Sequence, residues 1–240
     1  MIALLAATLT LGVGTLAPPI DTKRYQLVTL EAVKDAPNVE DAALRQLQSA
    51  HLAFLESLWK KRQAVLVGPL GDPVRRGLVL LDAPTAAEAK HAMLADPLVK
   101  AGFLVPKVMT VTAEREATGF DGEFLDLEPL VIVFLTWNRS RFEETSIEGR
   151  SGYRSFAGGV RGLRDEIQLR DERPPLFFAF SEDTSSPSEL VVLRGLTKAQ
   201  AIEWAKAFPL VELGFVDAEA VEFMTTKAAF PKKGQSMASI

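Results

Sequence analysis

The chain has no cysteine, which excludes disulfides, thiolate metal sites and a cysteine nucleophile and leaves the redox compartment undecided. It has only two histidines, His51 and His91, on different predicted helices and with carboxylates merely scattered around them. That is no metal-ligand spacing, so neither a metal nor a cofactor is expected. Concentrated positive charge is missing as well. There are 27 Lys and Arg against 31 Asp and Glu, a formal net charge of -4, and the basic residues gather only in short pairs such as Lys60-Lys61 and Arg75-Arg76. Nothing there would follow a phosphate backbone, so nucleic acid is not an expected partner. Gly158-Gly159-Val160-Arg161-Gly162 follows no strong strand and does not read as a phosphate-binding loop. The clusters Glu143-Glu144 and Arg164-Asp165-Glu166 read as a solvated face.

What is present is apolar mass. Of 240 residues 48% are hydrophobic, enough for one large core or two small ones. Residues 1 to 20 carry no charged side chain, and the apolar run from Ile2 to Leu11 followed by small residues has the form of a signal-peptide core. The expected location is therefore periplasmic or secreted, with cleavage after about Ala17, or cytoplasmic if the segment is not a signal. Gly and Pro cut the run below the roughly 20 apolar residues of a membrane span, and no stable span is expected after cleavage.

The stretch from Gly77 to Val111 is echoed from Glu189 to Phe223. Without a gap the two agree at about a third of positions, including Thr85 with Thr197, Pro97 with Pro209, Gly102 with Gly214 and Phe103 with Phe215. Where the first copy has Asp96 the second has Phe208. A duplicated unit that kept a carboxylate only once is the central asymmetry of the chain.

In chain order, Tyr25 to Val33 alternates as a strand, and Pro37-Asn38 gives a break and a potential helix cap. From Asp41 to Trp59, Leu44, Leu47, His51, Leu55 and Leu58 recur at helical spacing, which sets an imidazole within an apolar stripe. Strands Ala64 to Gly68 and Leu78 to Asp82 follow around a Gly71-Asp72-Pro73 turn. Thr85 with Glu88 opens a second helix, which Asp96-Pro97 closes, and strand Leu104 to Thr112 completes the order β-α-β-β-α-β. That order predicts an antiparallel sheet with both helices on one face. A charged, aperiodic stretch follows. In the second unit the expected elements are strand Leu130 to Leu135, a glycine-weakened helix with the stripe Phe156, Val160, Leu163 and Ile167, strand Leu176 to Phe180, a polar loop Ser181 to Ser188, a helix capped by Thr197 and Gln200, and a strand from about Val216 to Met224.

The duplication separates the histidines. His91 aligns with Glu203 and reads as a surface residue. His51 aligns with Leu163, so its site is expected to be buried in both units, and alone it reads most simply as a core histidine with a satisfied hydrogen bond. The second unit, however, lacks both His51 and Asp96, and two polar groups exchanged together for apolar ones suggest a pair. A carboxylate beside an imidazole fixes its tautomer and stabilises the imidazolium, which suits a general base or acid working near neutral pH. For Asp96 alone, a helix-terminal residue before Pro97 is the structural alternative.

A helical HLAFLESL, then VGPL, then GLVLLDAPTAAEA, then DPLVKAGF resembles the YCII (YciI-like) family over about Tyr25 to Thr112. The resemblance implies a ferredoxin-like βαββαβ fold that pairs as a dimeric α+β barrel, with His51 and Asp96 as the catalytic pair and Gly68 and Pro69 lining the substrate pocket. The second copy resembles the family only through its last three elements, which implies one site per chain. Repeat and resemblance together give an α+β chain of two ferredoxin-like units packed as an intramolecular pseudo-dimeric barrel, monomeric in solution. Its expected parts are a signal segment (1–20), a first unit (22–113), a linker (114–128), a degenerate second unit (129–228) and a tail (229–240). The implied function is that of a small-molecule lyase or isomerase acting on a small organic molecule by proton transfer. The alternative is an exported, non-catalytic binding or scaffold protein on the same fold.

Overall fold

Most strands of this chain are apolar at successive positions rather than at alternate ones, because both faces of the sheet they form are covered. In the computed structural model, which describes residues 21–115, 118–120, 122–138, 140–141, 167, 175–181 and 188–230, the first half contributes β1 (Thr22–Ala32), β2 (Ala64–Pro69), β3 (Arg75–Leu81) and β4 (Leu104–Glu114). The second contributes β5 (Leu127–Trp137), β6 (Phe177–Ser181), β7 (Ser188–Leu193) and β8 (Val216–Thr226). Together they make one eight-stranded antiparallel sheet in the order β2-β3-β1-β4-β6-β7-β5-β8. Helices α1 (Asp41–Lys60), α2 (Ala86–Met93) and α3 (Pro97–Lys100) lie between the strands of the first half; α4 (Lys198–Lys206) and α5 (Pro209–Glu212) join β7 to β8.

Successive strand side chains point to opposite faces. Leu27, Leu80, Leu130, Ile132, Leu190 and Val192 meet in a core shared by both halves. Their neighbours Val28, Val79 and Leu81 pack with α1 and α2, while Val131, Val133 and Val191 pack with α4. Both long helices of the first half therefore cover one face of its sheet, as the β-α-β-β-α-β order predicts.

The two ends of the strand order return to each other and make the sheet a nearly closed barrel. Leu70, just past β2, bridges Phe223 of β8, the Gly71 N–H donates to the Glu222 carbonyl at 2.8 Å, and the Thr225 hydroxyl donates to the Val67 carbonyl at 2.7 Å. Gly68 makes this approach possible. A Cβ there would lie 1.7 Å from the Met224 carbonyl oxygen and 2.8 Å from a Phe223 ring carbon. Next to the seam Arg75 binds Asp72 through two nitrogens, reaches Glu219 of β8, and lies 4.7 Å above the Phe134 ring. Burial alone would raise the Asp72 carboxyl, but hydrogen bonds from the Arg75 side chain and from the backbone N–H groups of Arg75 and Val74 hold it below the usual carboxylate range.

Local signals act largely as expected. Thr85 and Thr197 cap α2 and α4 by accepting from the N–H groups of Glu88 and Gln200. Gly102 and Gly214 follow the short helices α3 and α5 at φ of 78° and 72°, the left-handed conformation glycine tolerates best. Asn38 does not cap α1: the N-cap is Glu40, in extended geometry and with no side-chain cap bond. The stretch before β5 is more than a connection, since Phe120 and Phe124 pack on Trp59 of α1 with ring centroids 6.1 and 5.7 Å away. The candidate signal segment, the linker tip at 116–117 and 121, most of the second unit's first helix, the loop at 182–187 and the tail beyond Phe230 lie outside the described residues; of the helical stripe only Ile167 is described, and it is fully buried. Among the described residues no helix is long and apolar enough to cross a membrane.

Candidate active site

The apolar stripe of α1 does not pack evenly. Toward the C-terminus Leu55, Leu58 and Trp59 are buried against the sheet, whereas the preceding turns are half-buried or exposed. There the helix stands off the sheet and encloses a cavity of about 590 Å³. Leu44, Gln48, His51, Leu52 and Leu55 form its helical wall, at spacings that keep all five on one face. The sheet supplies Val67, Gly68 and Pro69 from β2 and Arg76, Gly77 and Val79 from β3. Phe124 and Leu125 close another side.

His51 and Asp96 meet at the edge of this space. Nδ1 of His51 is 2.6 Å from Oδ2 of Asp96, with the imidazole side chain 16% exposed and the carboxylate fully buried. The expectation for Asp96 as a helix-terminal residue is also met, at the other oxygen. Oδ1 accepts the backbone N–H groups of Leu98 at 2.8 Å and Val99 at 3.3 Å, so Asp96 is the N-cap of α3 with Pro97 at the first helical position. Asp96 thus opens a short helix as well as following α2. An ionised carboxylate only accepts, so opposite it a neutral imidazole donates from Nδ1 and keeps its lone pair at Nε2.

His91 is exposed on α2, as its alignment with Glu203 implies. Gly68 and Pro69 both line the cavity, but Gly68 also has the seam contact with Met224, which no local signal announced. In the second half Phe208 stands at the N-cap of α5 without a side-chain cap bond, buried edge-on to Trp204 at 5.0 Å. Its partner position Leu163 lies outside the described residues. Gln48, Arg76, Phe124 and Leu125 are among the cavity residues that sequence reasoning missed. Gln48 lies three residues before His51, and this spacing alone could have placed it on the same face; Arg76 and Leu125 carried no comparable signal. Among the described residues no three His, Asp or Glu side chains gather as metal ligands.

Fold and site define a mixed α/β domain whose sheet and long helix enclose an apolar cavity, with a histidine on its wall that pairs with a buried carboxylate. Residues 28–111, about a third of the chain, match the YCII-related domain. No curated protein sequence matches it. Among solved structures it is similar to a candidate monooxygenase from Lactobacillus acidophilus, at 9% identity and a TM-score of 0.44 over 86% of this chain and 98% of that one. A candidate monooxygenase from Fusobacterium nucleatum gives 7% identity and a TM-score of 0.48 over 90% and 96% of the two chains. A heme-binding protein from Thermus thermophilus gives 10% and 0.44 over 87% and 93%.

Proposed function

We propose that the first half of the chain is a small-molecule lyase or isomerase in which His51 moves a proton and Asp96 orients it. The observation that carries this reading is the 2.6 Å contact between His51 Nδ1 and Asp96 Oδ2 beside a cavity large enough for a small organic molecule. In the cycle, Nε2 takes a proton from a substrate C–H or O–H while Asp96 holds Nδ1–H and stabilises the imidazolium. The same proton then goes to a leaving group, giving elimination, or to another substrate atom, giving isomerisation. Such a positioned base contributes about 10²–10⁴-fold. Gly68 and Pro69 shape the floor on which the substrate rests.

The experiment is deuterium exchange in D₂O across a panel of hydroxy, halo and unsaturated acids, lactones and cyclic enols, followed by NMR and mass spectrometry. Exchange or turnover by the wild type that is lost in His51→Leu supports the reading. Tight binding of a panel member without exchange would instead favour the non-catalytic binding protein.

The same proposal includes two ferredoxin-like units that act as a dimer within one chain. It is supported by the order β6-β7-β5-β8, which repeats β2-β3-β1-β4, and by the paired features Thr85 and Thr197, Pro97 and Pro209, Gly102 and Gly214. On this view 22–113 and 129–228 are the units, 114–128 joins them, and the protein is a monomer. A solution mass of two chains, with the halves separately stable, would count against it. Export through residues 1 to 20 belongs to the same reading and is tested by whether the mature chain begins after about Ala17.

A further inference from the structure

Among the described residues the cavity lining is apolar apart from three side chains: Gln48, His51 and Arg76. Although the chain has 31 Asp and Glu, none of those described lines the cavity. Its titratable wall groups are therefore an imidazole and a guanidinium, in a protein of net charge -4. The two adjacent arginines have opposite situations. Arg75 is engaged by Asp72, Glu219 and the Phe134 ring. Arg76 has no side-chain hydrogen bond or ion pair among the described residues, and neither does Gln48. Yet the Arg76 backbone is fixed, since its carbonyl accepts the Leu70 N–H at 3.0 Å beside the Gly68-Pro69 floor. The guanidinium is thus carried on a rigid strand at a cavity wall with its donors uncommitted. Around the opening, Leu52 and Leu125 are 46% and 62% exposed and offer an apolar rim.

We propose that Arg76, assisted by Gln48, is the anion-recognising pole of the cavity and that the ligand is a small carboxylic acid with an apolar, ring-sized body. The guanidinium pairs with the carboxylate through two N–H donors, a geometry lysine cannot reproduce. The body lies against Val67, Val79 and Phe124, and the Gln48 amide fixes a second polar atom. This rests on the proposed function only in placing the reacting atom at His51 Nε2; the recognition of the carboxylate stands on Arg76 and the lining.

The test uses the folded chain and two probe series, benzoate with 3-phenylpropionate, and their neutral primary amides, titrated by NMR and calorimetry. The acids should bind in preference to the amides. Arg76→Met should weaken the acids by about tenfold or more and leave the amides unchanged, with Arg76→Lys intermediate. Arg76 makes no side-chain hydrogen bond among the described residues, so both variants should fold, which a melting curve checks. Equal loss for acids and amides, unchanged acid affinity in Arg76→Met, or no acid binding at millimolar concentration would overturn the proposal. Acid binding through Arg76 that persists in His51→Leu without any proton exchange in the wild type would leave it standing and sink the lyase or isomerase reading.

Discussion

Asp96→Asn separates the two tasks of one buried side chain. The amide has a single acceptor oxygen, and the cap of α3 uses it for the N–H groups of Leu98 and Val99. Its nitrogen then faces His51 as a donor where the carboxylate Oδ2 accepted at 2.6 Å. The imidazole must answer by accepting at Nδ1, which moves its proton to Nε2 and removes the base from the cavity side. Exchanging a charge-assisted bond for a neutral one costs about 1–2 kcal/mol. At about 2–4 °C per kcal/mol for a chain of this size, the melting temperature falls by about 2–8 °C. Long-range ¹H–¹⁵N correlation spectra, recorded where imidazoles are neutral, read the tautomer directly. Only two histidines contribute, and exposed His91 is the internal reference. The wild type should show His51 bare at Nε2 and the variant should show it protonated there. A wild-type His51 already protonated at Nε2, or a spectrum untouched by Asp96→Asn, would refute the carboxylate-imidazole account whatever the substrate.

His51→Leu should fold, since the aligned residue of the second half is leucine, but it strands Asp96 Oδ2 in the interior; a loss of about 1–3 kcal/mol by chemical denaturation is expected, and a failure to fold would make His51 structural. Gly68→Ala should part β2 from β8, because the clash is with backbone; overpacking and the lost seam bonds together cost about 2–4 kcal/mol in the melting experiment, and a neutral result would contradict the seam. Asp72, whose carboxyl is held below its unfolded value, contributes stability above the unfolded pKa that is lost as pH falls through the folded one. The wild type should therefore lose stability relative to Asp72→Asn as pH falls through and below about 4, the ordinary range for Asp; parallel curves would show that the Arg75 contact contributes nothing.

Much of the fold could be read locally. The α1 stripe follows from leucine spacing, the caps from Thr85 and Thr197, and the turns from glycine and proline, all interactions within a few residues. The site was legible only in part. Asp96 could be read either as a helix terminus or as a histidine partner, and because a carboxylate has two oxygens it is both. Gly68 was readable as a pocket residue by resemblance, but its approach to Met224 depends on a strand from the other half of the chain. Phe124 and Leu125 sit in a charged, aperiodic stretch and gain their place from tertiary packing on Trp59 and the cavity. Arg76 looked like half of a short basic pair, since only the folded structure shows that, among the described residues, the Arg75 side chain is tied down and that of Arg76 is not.

The seam has a consequence for how occupancy of the cavity can be observed. Gly68 touches the β8 backbone and also forms part of the cavity wall, so the floor under a ligand and the joint between the halves share one piece of chain. The Gly71 amide, bonded to the Glu222 carbonyl, is released to solvent only when that joint opens. A ligand that holds the floor in place slows this opening. Hydrogen exchange at Gly71, a residue outside the cavity lining, becomes a clock whose rate reports whether the cavity is filled, before any product has been identified.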